Sequence, residues 1–236
     1  MLKSRNLLFS AALSPAKKTV DQGYDLPFLV DHFDLFNVMT YDYHGWWGVN
    51  HSFTGHNAPL YRRDEEEPED HPGWYFNVFD SLSVYLDGGV PKDKLIMGMP
   101  IYGRGFVLND TEETGLYCGA NAGIPAGPYT RQDGIWGYLE IMQAMNNDTL
   151  INLPGAKPHD WKIVTDDCIT APYAYNGPYW IGYDDPESFA VKARFINFLD
   201  IRGAMVWSMD TDDFSGRYGT KYPMMHVSYA RLICFS

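Results

Sequence analysis

The stretch Phe36-Asn37-Val38-Met39-Thr40-Tyr41-Asp42-Tyr43-His44-Gly45 joins a short apolar run to a hydroxyl, a carboxylate and a glycine. A buried parallel strand shows this pattern when it delivers polar side chains to a site at its carboxyl-terminal edge. We therefore predict a strand over residues 36–41 and a functional site in the residues that end it.

Two later stretches repeat the plan. Leu95–Ile101 runs into Tyr102-Gly103-Arg104, and Gly203–Val206 runs into Trp207. Any one of these could be a core strand followed by a turn. Their repetition favours a single site built from the ends of several strands.

The chain alternates strands and helices except in one long segment. Strands are predicted over 7–13, 36–41, 95–101 and 203–207, with residues 14–18 as a loop. The spacing of apolar residues and the capping signals predict helices over 26–33, 72–86 and 185–199. Residues 103–183 hold short β-like runs and one helix over 134–146. The order β-α-β-α-β-(insertion)-α-β predicts an α/β fold with a parallel sheet and an inserted α+β module.

Composition and charge narrow the class of partner. The net charge is −12 and the calculated pI is about 4.8, which argues against binding to nucleic acid or to an anionic membrane, because both need a basic surface. No apolar run in the sequence is long enough to span a bilayer. Aromatic residues make up 16% of the chain, and their flat faces suit sugar stacking, although an aromatic-rich core would give the same composition.

The histidines and cysteines give no metal-site pattern. His44, His51 and His56 lie in a polar loop over 43–71 without a spacing that would bring them together, so we interpret them as structural. There are three cysteines, and the one candidate disulfide joins Cys118 to Cys168.

The motifs taken together resemble glycoside hydrolase family 18, the family of chitinases and chitinase-like lectins. The resemblance runs in the same order from about residue 5 to residue 224. It rests on the following four stretches: Met39-Thr40-Tyr41-Asp42, Gly98–Phe106, Trp180–Phe189, and Gly203–Trp207 through Asp212-Asp213-Phe214.

The resemblance implies a partial (β/α)8 TIM barrel. Residues 1–102 and 184–236 would form the partial barrel, with strands resembling its fifth to eighth, and residues 103–183 would form the chitinase insertion α+β domain. It also implies that the partner is chitin or chitooligosaccharides, that no cofactor or metal is needed, and that the protein is extracellular. A signal peptide and the amino-terminal half of the barrel are expected upstream of this chain.

The family's reaction is substrate-assisted and retaining: the N-acetyl oxygen of the sugar attacks the anomeric carbon in place of a protein nucleophile. By resemblance, Tyr41 would hydrogen-bond that acetamido oxygen and Asp42 would support it electrostatically. Trp207 would form a hydrophobic floor under the sugar, and Tyr102 and Arg104 would contact the substrate in the cleft. Trp47 would be a stacking platform, and Met39 and Met205 would pack around the reacting sugar. Each has a structural alternative, such as a turn carboxylate for Asp42, a core aromatic for Trp207 or an ion-pair partner for Arg104.

The chain departs from the family in one decisive respect. No Glu in it ends an Asp-x-x-Asp-x-Asp-x-Glu motif, which in the family supplies the general acid. We therefore expect the chain as given to be inactive, and its complete form to hydrolyse polymers of β-1,4-linked N-acetylglucosamine. The alternative is a non-catalytic chitinase-like lectin, and a pairing of two half-barrels is a third hypothesis.

Overall fold

A computed structural model describes residues 7–47, 52–63, 76–146, 151, 153–165 and 171–233. The strands are β1 (Ser10–Leu13), β2 (Leu35–Val38), β3 (Ser52–Phe53), β4 (Leu95–Pro100), β5 (Tyr102–Leu108), β6 (Gly119–Gly123), β7 (Ile135–Gly137), β8 (Lys162–Thr165), β9 (Pro172–Asn176), β10 (Tyr179–Gly182) and β11 (Gly203–Trp207). The α-helices are α1 (Lys17–Gly23), α2 (Leu26–His32), α3 (Val78–Asp87), α4 (Tyr138–Met145), α5 (Pro186–Leu199) and α6 (Pro223–Ile233).

The predicted parallel sheet is confirmed. It has four strands in the order β1-β2-β4-β11, and all three pairings are parallel. The register places Leu13 opposite Val38, Val38 opposite Met97, and Met97 opposite Ala204. Within the described residues, β1 and β11 are the two edges of this sheet.

The main core lies between the parallel sheet and the helices α1, α2, α3, α5 and α6. Apolar side chains of the strands, such as Phe36, Leu95 and Met97, are fully buried against helix residues such as Leu82 and Phe189. Burial of such side chains is the main favourable term in folding. This packing fixes the strand ends from which the candidate site is built.

Helix α5 begins as its sequence predicts. The Asp185 side chain accepts a hydrogen bond from the Ser188 amide at 2.8 Å, and Pro186 occupies the first turn. A carboxylate at this position satisfies an amide that has no partner inside the helix. The helix ends at Leu199, and the following cap residue, Asp200, adopts a left-handed conformation with φ of 55°.

Every described pairing of the second sheet is antiparallel; its order is β3-β6-β5-β10-β9-β8, with β7 paired to β5. Its own core contains Trp136, Ile141, Ala174 and Ile181. β3 precedes the predicted insertion by about fifty residues in the sequence, yet its Ser52 pairs with Ala120.

Predicted element boundaries differ from the structure in the first half of the chain. The strand predicted over residues 7–13 is shorter, because β1 begins at Ser10. Residues 14–18 are not all loop, because α1 begins at Lys17; its Ala16 cap makes no side-chain hydrogen bond and only Val20 is buried, so the sequence signal is weak. Strand 36–41 ends at Val38, because the amide of Thr40 turns back to the Val38 carbonyl at 2.9 Å.

Two predicted helix starts are also wrong. Pro72 lies outside the described residues, but α3 begins only at Val78, where the Asn77 side chain accepts a hydrogen bond from the Asp80 amide at 2.9 Å. The helix predicted over 134–146 is α4 preceded by β7, because residues 135–137 pair with β5 instead.

Among the described residues, no helix combines the length and apolar character that a membrane crossing requires. The Cys118 sulfur lies 3.8 Å from the Leu116 carbonyl oxygen; Cys168 lies outside the described residues, so their pairing stays a prediction.

Candidate functional site

The carboxyl ends of β2, β4 and β11 meet at one edge of the parallel sheet. β11 reaches this edge beside β4, with Trp207 opposite Pro100, and the Ile101 amide donates to the Trp207 carbonyl at 2.8 Å. The chain leaving β2 enters the same region through Met39 to Asp42. Since parallel strands direct their carboxyl ends to one side, three distant segments contribute to one place.

A cavity of about 780 Å³ occupies this edge. Seven of the eight candidate residues line it: Met39, Tyr41, Asp42, Tyr102, Arg104, Met205 and Trp207. Trp47, the eighth, contacts Arg104 from outside this set. The structure therefore brings the predicted residues together.

Asp42 is the centre of the site's polar contacts. One carboxylate oxygen accepts from the Tyr102 hydroxyl at 2.6 Å and from Arg104 Nε at 2.8 Å, and the other lies 2.7 Å from Arg104 Nη2. We call Asp42, Tyr102 and Arg104 the carboxylate cluster. Paired, charge-assisted hydrogen bonds of this kind fix both geometry and orientation.

The backbone of Asp42 is as closely held as its side chain. Asp42 has a φ of 65°, in the left-handed region that few residues other than glycine adopt. Its amide donates to the side-chain oxygen of Asn57 at 3.0 Å. In this conformation the Asp42 carboxylate faces Tyr102 and Arg104.

Arg104 connects the cluster to an aromatic surface. Its guanidinium carbon lies 4.5 Å from the centre of the Trp47 ring and 5.6 Å from that of Tyr102. The Arg104 side chain is only 8% exposed, whereas Trp47 is 53% exposed. The Arg104 guanidinium thus makes a cation–π contact with the Trp47 ring, which remains largely exposed.

Tyr41 is buried apart from the edge that lines the cavity. Its ring meets that of Tyr102 edge to face at 6.0 Å, and its hydroxyl lies 3.9 Å from the Met205 sulfur. Burial first, and then the Asp42 charge, raises the pKa of Tyr41 to about 12. The hydroxyl therefore stays protonated at neutral pH and can donate a hydrogen bond into the cavity.

Gly98 in β4 leaves the space that Tyr41 occupies. A side-chain carbon at this position would lie 2.5 Å from the Val38 carbonyl oxygen and 2.9 Å from the Tyr41 ring. Even the smallest substitution would therefore have to displace Tyr41 or the end of β2.

Trp207 and the methionines provide the apolar part of the site. Trp207 is the last residue of β11 and is 60% exposed, so it is not a core aromatic. Met39 and Met205 are partly buried and pack against Tyr41 and Tyr102. The cavity thus combines an exposed indole face, polar donors and a flexible apolar lining.

Several lining residues were not found from the sequence: Ala12, Asn37, Thr130, Gln132, Ile135, Val206, Ser208 and Thr211. Thr130 and Gln132 come from the loop before β7, which Glu140 holds by accepting from the Tyr129 and Thr130 amides at 2.7 and 3.0 Å. No local pattern marks such residues, because only the pairing of β7 with β5 brings their loop to the cavity.

The histidines of the polar loop have structural contacts. His44 Nδ1 lies 3.0 Å from the His56 carbonyl oxygen, and His56 is itself buried. His51 lies outside the described residues. Within the part of the chain that the structure describes, no three His, Cys, Asp or Glu side chains are grouped as metal ligands.

Comparison with known proteins gives a family match over most of the chain. Residues 1–212 match the model for glycosyl hydrolases family 18. The chain is 39% identical to a protein of Drosophila melanogaster named "Probable chitinase 10", over 218 residues that make up 92% of this chain and 9% of that protein.

Solved structures extend the match to the fold. The Group IV chitinase of Ostrinia furnacalis in complex with allosamidin superposes with a TM-score of 0.88 at 34% identity, over 100% of this chain and 59% of that one. Human YKL-39, described as a pseudo-chitinase with retained chitooligosaccharide binding properties, superposes with a TM-score of 0.84 at 33% identity. That match covers 96% of this chain and 58% of YKL-39.

The chain thus shares the α/β fold of these structures over about three fifths of their length. Its parallel sheet, its antiparallel sheet and the order of its motifs agree with the sequence match. The chain belongs to glycosyl hydrolase family 18.

Proposed function

We propose that this chain supplies the sugar-recognising part of a chitinase-family cleft, with N-acetylglucosamine oligosaccharides as its ligands. The observation that carries the proposal is the cavity itself, where Tyr41, the carboxylate cluster and the exposed face of Trp207 converge. Flat apolar surface beside fixed polar donors is what a sugar ring with an acetamido group requires.

Each part of the site has a role in this proposal. The protonated Tyr41 hydroxyl donates to the acetamido oxygen, and Asp42 adds negative charge beside it. Trp207 covers the apolar face of the sugar ring, and Trp47 offers a second stacking surface. The solved relatives support this, since the Ostrinia furnacalis structure is a complex with allosamidin and human YKL-39 retains chitooligosaccharide binding.

Hydrolysis requires a group that this chain does not contain. In a substrate-assisted mechanism the acetamido oxygen attacks the anomeric carbon, but a carboxylic acid must still protonate the departing oxygen. The 236 residues hold no Asp-x-x-Asp-x-Asp-x-Glu motif. We therefore propose that residues 1–236 alone bind without cleaving, and that an extracellular form carrying the acid degrades chitin.

The second candidate is a binding protein without catalysis, similar to human YKL-39, a pseudo-chitinase that retains chitooligosaccharide binding. The two are separated by one residue, the last of the family's fourth-strand motif. A Glu at that position in the full-length protein supports the enzyme, and any other residue supports the lectin. In the same proposal, β1, β2, β4 and β11 correspond to the fifth to eighth strands of the family's barrel.

The test compares two tetrasaccharides that differ in the acetamido group. Calorimetric titration of the chain is expected to show binding of chitotetraose and much weaker binding of cellotetraose. Tyr41→Phe is expected to weaken chitotetraose binding by about fivefold to tenfold, the value of one hydrogen bond, and to leave cellotetraose unchanged.

Tyr61→Phe is the matched control, because Tyr61 packs against Phe195 on the helix side of the molecule. Equal affinity for the two tetrasaccharides would contradict acetamido recognition. Release of smaller sugars by the purified chain, abolished by Asp42→Ala, would contradict the proposal that it is inactive alone.

A further inference from the structure

Asn57 lies below the site and does not line the cavity. It belongs to the segment Thr54–Leu60, all of which is buried, and its own side chain is 1% exposed. Its amide oxygen accepts from the Asp42 amide at 3.0 Å, and its amide nitrogen donates to the Tyr102 carbonyl at 3.0 Å. One side chain thus joins the chain leaving β2 to the first residue of β5.

The two residues that Asn57 holds by their backbones are also joined by their side chains. The Tyr102 hydroxyl donates to Asp42 at 2.6 Å. The relative placement of these two backbone segments sets that distance. Arg104 depends on the same placement, because it lies two residues after Tyr102 and bonds to both carboxylate oxygens of Asp42.

A second contact fixes the segment that carries Asn57. Lys192 of α5 donates to the carbonyl of Ala58 at 2.6 Å, and both residues are fully buried. The same ammonium lies 2.6 Å from each carboxylate oxygen of Asp184. Since the Tyr43 amide also bonds to the Asn57 carbonyl at 3.1 Å, Asn57 is anchored from the helix layer and from the site loop.

We propose that Asn57 is a positioning residue that sets the geometry of the carboxylate cluster and thereby the affinity of the cleft for sugar. It touches no ligand and acts through Asp42 and Tyr102. The effect on affinity rests on the proposed function, whereas the effect on the cluster does not.

The experiment compares Asn57 with an equivalent asparagine far from the site. Asn176 in β9 is 2% exposed, and its side chain bonds to both the amide and the carbonyl of Lys157, at 2.8 and 2.7 Å. Asn57→Ala and Asn176→Ala each remove one buried amide with two backbone bonds. The two variants therefore match in burial and in lost hydrogen bonds, and differ in the site.

Titration of the full chain with chitotetraose is the first readout. Asn57→Ala is expected to weaken binding on the order of tenfold, and Asn176→Ala to leave it within about twofold. An equal loss in the two variants, or no loss in Asn57→Ala, would overturn the proposal.

Asn57→Asp provides a rescue that a purely structural role would not show. When protonated, its carboxyl can accept from the Asp42 amide and donate to the Tyr102 carbonyl, as the natural amide does. Binding at about pH 5 is expected to lie within about twofold of the wild type, because burial keeps the acid neutral. Binding on the order of tenfold or more weaker than the wild type at this pH would overturn the proposal. Because the reference is the wild type, this variant decides the matter even if Asn57→Ala does not fold.

A sugar-free readout separates this inference from the proposed function. In proton–nitrogen NMR spectra, the Arg104 Nε–H signal, assigned with Arg104→Lys, reports the bond to Asp42. It is expected to shift in Asn57→Ala and to stay in place in Asn176→Ala. If the wild-type chain binds no chitotetraose, the sugar proposal fails, and an unmoved Arg104 signal in Asn57→Ala would separately refute the role of Asn57.

Discussion

Arg104 meets Asp42 in a two-point contact, with Nε 2.8 Å from one carboxylate oxygen and Nη2 2.7 Å from the other. The two residues come from different sheets: Asp42 follows β2 of the parallel sheet, and Arg104 lies within β5 of the antiparallel one. A fork of this shape fits a carboxylate in a way that a lysine ammonium does not.

Arg104→Lys is therefore expected to weaken binding of chitotetraose by about tenfold, because it loses the second contact to Asp42 and the planar stack on Trp47. Isothermal titration measures this. Arg194→Lys, at an exposed position of α5, is the control and should bind like the wild type. Unchanged affinity in Arg104→Lys would show that the charge alone is sufficient.

Trp207 is expected to contribute to binding and little to folding. Covering about 100 Å² of its ring with a sugar is worth about 2.5 kcal/mol, so Trp207→Ala should lose at least about tenfold in affinity. Its stability toward urea should hardly change, because the ring is already 60% exposed. Phe198→Ala removes an 81% exposed aromatic from α5 and should alter neither quantity; a large loss of stability in Trp207→Ala would assign that residue to the core.

His56 predicts a stability that decreases in acid. It is buried, and within the described residues neither ring nitrogen has a hydrogen-bond partner. Burial, with the positive neighbours His44, Lys192 and Arg63, lowers the pKa of His56 from 6.5 to about 3. The Tyr173 ring meets the His56 ring edge to face, with 6.0 Å between their centres. Between about pH 6.5 and pH 3, His56 is therefore protonated in the unfolded chain but not in the folded chain. The free energy of unfolding thus decreases as the pH falls through this range.

The expected loss is up to about 1.4 kcal/mol per pH unit, or about 2 kcal/mol between pH 6.5 and pH 5. Urea unfolding at several pH values measures it. His56→Leu should flatten this part of the profile, and His226→Leu, at an exposed position of α6, should not. A profile that His56→Leu leaves as steep as before would assign the acid sensitivity to other groups.

The buried ion pair of Lys192 and Asp184 predicts a large and recoverable defect. Lys192→Met leaves the Asp184 carboxylate buried, with Ser188 at 2.6 Å as its remaining side-chain partner among the described residues, and should cost about 3–5 kcal/mol of unfolding free energy. Adding Asp184→Asn removes the stranded charge and should restore part of it.

The matched control for this pair is the exposed ion pair of Lys162 and Asp160, which lie 2.7 Å apart. Lys162→Met should leave the urea midpoint unchanged, because exposed pairs contribute little. A double variant of Lys192 and Asp184 that is less stable than Lys192→Met would show that the carboxylate is held by its other contacts.

The elements that sequence could predict are those whose signals are local. The apolar runs of β4 and β11 and the cap of α5 by Asp185 are read directly from neighbouring residues. The start of α3 was missed because Asn77, its cap, competes with a proline five residues earlier that carries the same kind of signal.

The site divides in the same way. Tyr41, Asp42 and Trp207 stand at strand ends, so parallel topology alone predicts that they meet. Asn57 was missed because it lies in a segment interpreted as a polar loop. The uncharged run around Ala58-Pro59-Leu60 is the signal that the loop returns to the core. Which groups it bonds there depends on long-range contacts that no sequence spacing records.

The contacts of Asp42 join the two sheets, and this limits how the protein can be divided or recombined with its relatives. One sheet supplies the Asp42 carboxylate and the other supplies Tyr102 and Arg104. Neither sheet expressed alone would therefore contain a complete carboxylate cluster, and each is expected to bind chitotetraose hardly at all. Exchange of the antiparallel module between relatives would therefore disturb the contacts of Asp42 with Tyr102 and Arg104. Grafts that transfer Asp42, Asn57, Tyr102 and Arg104 together should preserve the geometry of the carboxylate cluster.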